Sequence, residues 1–254
     1  MNAKDKLIAA LDVDTADEAL RLFESLRDSV GMFKIGMQLF TAAGPDVVRR
    51  IISRDGKIFL DLKYHDIPNT VAMAAVEAAR LGVTLFNIHV SGGHDMMKRA
   101  AEAVADVTHR ERLPKPKILG VTVLTSIDQL TLQQIGIEDD PAKVVGRLAS
   151  LAASAGLDGV VASAQEIRVV RESVAQENFL VVTPGIRATP SNVQDQRRTM
   201  PATEAVRAGA DYLVVGRPIL AAPDPVRAAQ DLADEIHRAM STRLEEQTRA
   251  QSVQ

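Results

Sequence analysis

Eight short apolar runs, each followed by a stretch of helical periodicity, fill the 254-residue chain and constrain its fold more than any other feature. The runs are Leu7–Val13, Met32–Met37, Lys57–Leu62, Thr84–Val90, Ile118–Leu124, Gly159–Ser163, Phe179–Pro184 and Asp211–Val215. They are rich in Val, Ile and Leu and nearly continuous, as strands covered on both faces are. Between them apolar residues recur three and four apart. Ala19, Leu20, Phe23 and Leu26 do so within Ala16–Leu26, and Val71–Leu81 and Met96–Val107 behave similarly. This alternation specifies βαβ units on a parallel sheet. Eight such units predict a closed (β/α)8 barrel of the α/β class, which typically takes about 250 residues. A doubly wound sheet would use about five or six strands and a Gly-rich first turn. The first turn here is Asp12-Val13-Asp14-Thr15, and no G-x-G-x-x-G occurs. Residues 1–244 therefore read as one barrel domain, with 245–254 a polar C-terminal tail.

Composition removes several classes of chemistry. The chain has no cysteine, which excludes disulfides, a thiolate nucleophile, iron–sulfur clusters and Cys-ligated zinc. A net charge of −3 gives no reason to expect nucleic acid or an acidic membrane as partner. The basic stretch Arg110–Lys117 reads as a solvated helix end and a proline-stiffened loop. The five histidines show no metal-ligand spacing, and His89 to His94 reads as a turn into a helix. No apolar run approaches the ~18 residues of a membrane span. The first run, Leu7–Leu11, breaks at Asp12 and is too short for a signal-peptide core. A cytoplasmic location is the expectation.

In a parallel barrel the site lies at the C-terminal ends of the strands. The third run and its extension read F-L-D-L-K-Y-H-D-I-P-N-T, from Phe59 to Thr70. Alternate strand residues share a face, so Asp61 and Lys63 point one way while Leu60 and Leu62 face the helices. Lys34, on the neighbouring strand, can join them, with Asp12 and Asp66 nearby. Charges gathered in a mostly desolvated mouth are costly unless they pair and serve a purpose. A salt-bridge layer closing the barrel is the plainer alternative for any one pair.

The last two strands end in T-P-G-I-R, Thr183–Arg187, and V-G-R-P, Val215–Pro218. Gly185 and Gly216 allow close backbone approach, and Arg187 and Arg217 offer forked donors for phosphate oxygens. Barrel enzymes commonly hold a phosphate with these two loops. The polar stretch Arg187–Met200 has the length of a functional lid. Thr125 and Ser126 place two hydroxyls after the fifth strand, either to meet a polar ring edge or to cap a helix.

Taken together, L-D-V-D at Leu11–Asp14, F-K-I-G at Phe33–Gly36, D-L-K-Y-H-D-I-P-N-T at Asp61–Thr70, V-L-T-S at Val123–Ser126, T-P-G-I-R and V-G-R-P resemble the orotidine 5′-phosphate decarboxylase family, bacterial type. The resemblance implies conversion of orotidine 5′-phosphate to uridine 5′-phosphate and carbon dioxide in pyrimidine biosynthesis. It implies a homodimer and neither metal nor organic cofactor. It makes Lys63 the proton donor to C6 of the pyrimidine. Lys34, Asp61 and Asp66 complete the charged network, with Asp66 and Thr70 reaching the partner's site. Asp12 and Lys34 hold ribose hydroxyls, and Thr125 and Ser126 meet the pyrimidine edge. Gln196 touches phosphate and base, Arg187, Gly216 and Arg217 bind phosphate, and Pro184 and Gly185 belong to the substrate-binding set. D-x-K-x-x-D is shared with magnesium-dependent sugar-phosphate decarboxylases and aldolases of the same superfamily, which are one alternative. A non-catalytic nucleotide-binding barrel is another.

Overall fold

Each apolar run forms a strand. They are β1 (Leu7–Ala10), β2 (Met32–Gly36), β3 (Ile58–Tyr64), β4 (Leu85–His89), β5 (Lys117–Val121), β6 (Gly159–Val161), β7 (Leu180–Thr183) and β8 (Tyr212–Val215). A computed structural model describes residues 2–186 and 200–251, with side chains through 242. Neighbours in sequence pair in parallel, and β8 pairs with β1 to close the barrel. The expected (β/α)8 architecture is therefore the observed one.

The helices are α1 (Ala16–Leu26), α2 (Met37–Ala43), α3 (Asp46–Ile52), α4 (Pro68–Arg80), α5 (His94–Glu111), α6 (Gln129–Gln134), α7 (Pro141–Ser154), α8 (Ile167–Ser173), α9 (Ala202–Ala208), α10 (Arg217–Leu220) and α11 (Pro225–Gln251). In α1 the buried residues are Ala19, Leu20, Phe23 and Leu26, the stripe the spacing predicts. Its start is fixed by the Thr15 hydroxyl, which accepts from the Glu18 N–H at 3.2 Å. Helix α4 begins earlier than its apolar pattern, because Pro68 is suited to the first turn, where an N–H has no partner to lose. The basic stretch is the end of α5 and the loop into β5, as expected. The polar C-terminal residues continue the backbone of α11, which stays helical to Gln251.

Alternation along the strands sorts the core into two layers. Outward residues such as Leu7, Ile35, Leu60, Phe86 and Val181 pack beneath the helices. Inward residues Ile8, Met32, Phe59, Leu85, Leu119, Val182 and Val214 fill the barrel and form an apolar floor. One step further along the same inward rows the chemistry changes: Phe59 gives way to Asp61, Leu85 to Asn87 and Met32 to Lys34. The floor ends where the charges begin.

One irregularity bears on the site. Leu60 pairs with Phe86, yet Tyr64 pairs with Ile88, so β3 carries two more residues than β4 across this interval. An insertion of two keeps the inside–outside alternation, and Lys63 still faces the barrel mouth. The local backbone is nonetheless unusual, with Lys63 at φ 51°.

Candidate active site

The charged residues at the strand ends form a chain of contacts running from β3 to the turn after β1. The Lys63 ammonium lies 2.7 Å from Asp61 Oδ1, and the Lys34 ammonium 3.4 Å from Asp61 Oδ2. Lys34 also donates to Asp12 Oδ1 at 3.0 Å. Lysine and aspartate thus alternate, as the sequence suggests, but the second acid is Asp12. Asp66 stands apart: it is exposed, and its carboxylate accepts from the Ile67 N–H at 2.6 Å.

Desolvation works against these charges, and mutual attraction overcomes it. The side chains of Lys34 and Asp61 are only 12% and 13% exposed. Burial pulls the Lys34 ammonium down, but Asp61 and Asp12 outweigh it and hold its pKa above the ordinary lysine value. Burial pushes Asp61 up, but Lys34 and Lys63, with hydrogen bonds from Lys63 and Asn87, hold it below the usual carboxylate range. Lys34 and Asp61 are thereby both held in their charged forms. His89, half-buried at the end of β4, is pulled down by burial and then by His65 and Lys63; its ring lies 5.4 Å from that of His65.

This chain of charges opens onto a cavity of about 1020 Å³ at the barrel mouth. Asp12, Lys34, Asp61 and Lys63 line one side, and Pro184, Gly185, Gly216 and Arg217 line the β7–β8 side. Gly185 has φ 79°, a conformation that favours glycine. At Gly216 a Cβ would stand 3.3 Å from Asp12 Oδ2, so even a methyl group would crowd the neighbouring acid. Thr125 and Ser126 also line the cavity, in the turn beyond β5 and before α6. Val121, Val123, Val161 and Ala162 supply aliphatic surface, and Phe59 is the one aromatic among the described residues that line it. No group of three or more His, Asp or Glu among the described residues is arranged to hold a metal ion. No helix among them is long and apolar enough to cross a membrane.

Ten of the expected site residues therefore meet at one cavity: Asp12, Lys34, Asp61, Lys63, Thr125, Ser126, Pro184, Gly185, Gly216 and Arg217. Asp66 and Thr70 do not line it; both are exposed at the start of α4. Arg187 and Gln196, like the rest of 187–199, lie outside the described residues. Three polar residues at the site escaped the sequence reading. Gln38 lines the cavity and donates to Asp14 Oδ1 at 2.6 Å, and the buried Ser163 lines it from the end of β6. Asn87, fully buried on β4, donates to Asp61 Oδ1 at 2.7 Å and accepts from the Lys63 backbone N–H at 2.8 Å. Its signal was available: a lone amide inside the apolar strand L-F-N-I-H.

Comparison with known proteins decides the family. The family described as orotidine 5′-phosphate decarboxylase / HUMPS matches residues 5–232. The chain belongs to this family. It is 54% identical to orotidine 5′-phosphate decarboxylase from Geobacter sulfurreducens over 235 residues, covering 92% of this chain and 97% of that one. To the Moorella thermoacetica enzyme of the same name it is 52% identical over 237 residues, covering 93% and 94%. Among solved structures, orotidine 5′-phosphate decarboxylase from Lactobacillus acidophilus superposes with a TM-score of 0.79 at 35% identity, covering 91% and 98%. The family resemblance carried by the strand-end motifs is thereby borne out over most of the chain.

The charge chain makes stability pH-dependent in a defined direction. Asp61 is depressed in the fold, so its contribution is complete above the unfolded carboxylate value, about 3.9, and drains away as pH falls through its lower folded value. Lys34 is raised, so its contribution is complete below about 10.4 and lost as pH rises through its higher folded value. The Tm difference between the native chain and Asp61→Asn should be constant near neutrality and shrink below about pH 4. Thermal melts across pH 2–8 check this, and parallel curves down to the acid end would contradict it.

Proposed function

We propose that this chain decarboxylates orotidine 5′-phosphate to uridine 5′-phosphate and carbon dioxide, with Lys63 delivering the proton to C6. The observation that carries the reading is the Lys63–Asp61–Lys34–Asp12 chain at one side of a cavity whose other side is Gly185, Gly216 and Arg217. One side is suited to stabilising a developing carbanion, the other to gripping a phosphate. The identity of about half with decarboxylases along nearly their whole length supports the same activity.

The chemistry follows from the arrangement. Cleavage of the bond between C6 and the carboxylate leaves its electron pair on C6, where the pyrimidine ring disperses it poorly. A fixed ammonium beside C6 stabilises that charge without reorganising at the moment of reaction. Lys63, held by Asp61 at 2.7 Å, has the required charge and restraint. It then gives its proton to C6 and is reprotonated from solvent. Asp12 and Lys34 suit ribose hydroxyls, Thr125 and Ser126 the polar ring edge, and the valine and alanine side chains the ring faces. The paucity of aromatics fits a ring held by its edges and by aliphatic contact. On the phosphate side, Arg187 and Gln196 are expected to join Arg217. Phosphate binding far from C6 lowers the barrier by ordering the substrate and excluding water.

The reading includes a cytoplasmic homodimer in which Asp66 and Thr70 serve the partner's cavity. Its support is the exposed face at the start of α4. There Asp66 and Thr70 sit with Ile67 and Met73, apolar side chains that are 68% and 51% exposed. An unpaired apolar patch beside polar groups that reach no cavity of their own suits an isologous contact.

Loss of orotidylate absorbance on adding pure protein, with and without chelator, tests the activity. Unchanged absorbance in both tubes would overturn it, and loss only without chelator would favour a metal-dependent relative. Lys63→Ala should lower turnover by at least about 10³-fold while uridine 5′-phosphate still binds; near-native turnover would remove the lysine's role. Arg217→Ala should lower kcat/KM on the nucleotide by about 10- to 100-fold and barely affect the phosphate-free nucleoside. Equal losses on both substrates would rule out a phosphate contact. Mixing inactive Lys63→Ala and Asp66→Ala proteins should restore about a quarter of native activity, since half of random dimers are hybrids with one intact site. No recovery after verified subunit exchange would place Asp66 in its own chain's site or in neither.

A further inference from the structure

The amide of Asn87 closes a ring of hydrogen bonds around the two residues at the centre of the site. Its Oδ1 accepts from the Lys63 backbone N–H at 2.8 Å, and its Nδ2 donates to Asp61 Oδ1 at 2.7 Å. The same Asp61 oxygen accepts from the Lys63 ammonium at 2.7 Å. The ring therefore runs from the Lys63 backbone through Asn87 and Asp61 to the Lys63 side-chain tip. Asn87 is fully buried and does not line the cavity, so it meets a bound substrate only through Asp61 and Lys63.

The backbone explains why an amide is needed. Among the described residues three non-glycine positions have positive φ, Asp55, Lys63 and Arg112, and only Lys63 lies within a strand. The two-residue excess of β3 over β4 falls between Leu60 and Tyr64, and Asn87 sits between their partners Phe86 and Ile88. The regular ladder is interrupted there, and the Lys63 N–H is satisfied by the Asn87 side chain instead. Both hydrogen bonds also fix which end of the amide is oxygen, because the reverse orientation would set two donors and two acceptors face to face. A carboxylate could serve the N–H but would repel Asp61. A lysine or serine could not supply both a planar donor and a planar acceptor at this spacing.

We propose that Asn87 is a positioning residue for the decarboxylation: it holds Lys63 in its left-handed conformation and aims Asp61 at the ammonium that protonates C6. This rests on the reading that Lys63 is the proton donor. The phosphate side of the cavity is remote from Asn87, so its removal should act on turnover rather than on binding. For Asn87→Ala, kcat should fall by about 10²-fold, the order expected from small misplacement of a reacting group, with KM changing by less than about threefold.

The pH profile gives a second readout. Asp61 faces Lys34 from β2, Lys63 on its own strand, and His89 with Asn87 from β4. Asn87→Asp is isosteric, preserves packing, and puts a second carboxylate against Asp61. Its acid limb of kcat/KM should move to higher pH than in the native chain, and further than in Asn87→Ala, which loses only a neutral donor. A merely structural role would lower Tm and the fraction of active protein but leave kcat per site and the pH limb unchanged.

The experiment is steady-state kinetics across pH on the native chain, Asn87→Ala, Asn87→Asp and Lys63→Ala, each normalised to sites titrated with uridine 5′-phosphate. A fall in kcat with KM preserved and the acid limb shifted in Asn87→Asp supports the proposal. Native kcat per site in either Asn87 variant overturns it, and so does an unshifted limb in Asn87→Asp. Should Asn87→Ala not fold, the isosteric Asn87→Asp carries the decision. Retained turnover in Lys63→Ala would instead overturn the reading of the lysine, an outcome distinct from native-like Asn87 variants beside an inactive Lys63→Ala.

Discussion

One carboxylate between two ammonium groups sets the terms for the rest of the site. Asp61 touches Lys63 with one oxygen and Lys34 with the other, in surroundings that leave it about one-eighth exposed. Such a group is tolerable only if every neighbour is in place, since an unpaired buried charge is far more costly than a paired one. The barrel meets that condition by construction. Three adjacent parallel strands present Lys34, Asp61, Lys63 and Asn87 at neighbouring inward positions, and the turn after β1 adds Asp12. The helices contribute by covering the outer face of the sheet, so that strand positions are fixed before any charge is considered.

The apolar floor matters for the same reason. Phe59, Leu85, Val182 and Val214 close the barrel below the charges and keep solvent from reaching them from that side. The interactions of Asp61 and the two lysines are stronger there than on a wet surface. Their unspent field is directed at the mouth, which is where a ligand enters. The β7–β8 side is different in kind. It is shaped by the backbone conformation at Gly185 and the close approach at Gly216, with Arg217 beside them in the lining.

Much of this was legible in the sequence, and the reasons differ by feature. The eight strands were visible because strands buried on both faces must be nearly continuous in apolar residues. The boundaries of α1 were readable because Thr15 caps a clear stripe. The grouping of Asp61, Lys63 and Lys34 followed from period-two alternation and strand adjacency. The bulge did not follow, because an insertion of two leaves that alternation intact and gives no pattern to detect. Asn87 was overlooked with it, since its partner is a backbone N–H freed only by the bulge. Asp66 lies just beyond the strand in sequence, and the chain turns into α4 directly after it and leaves its side chain exposed. The helical continuation past residue 244 was hidden for another reason: a helix end without an apolar stripe has no periodic signature.

The extra pair of residues in β3 has a consequence for how sites of this kind can change. Barrel geometry fixes which residues look inward, but it does not fix how high above the floor any one of them stands. Adding residues to a strand by twos raises a side chain toward the mouth and leaves every other inward residue inward. Depth and orientation thus become separate variables. A lineage could move a reactive group nearer to or farther from its substrate by that step, without redrawing the scaffold that carries it.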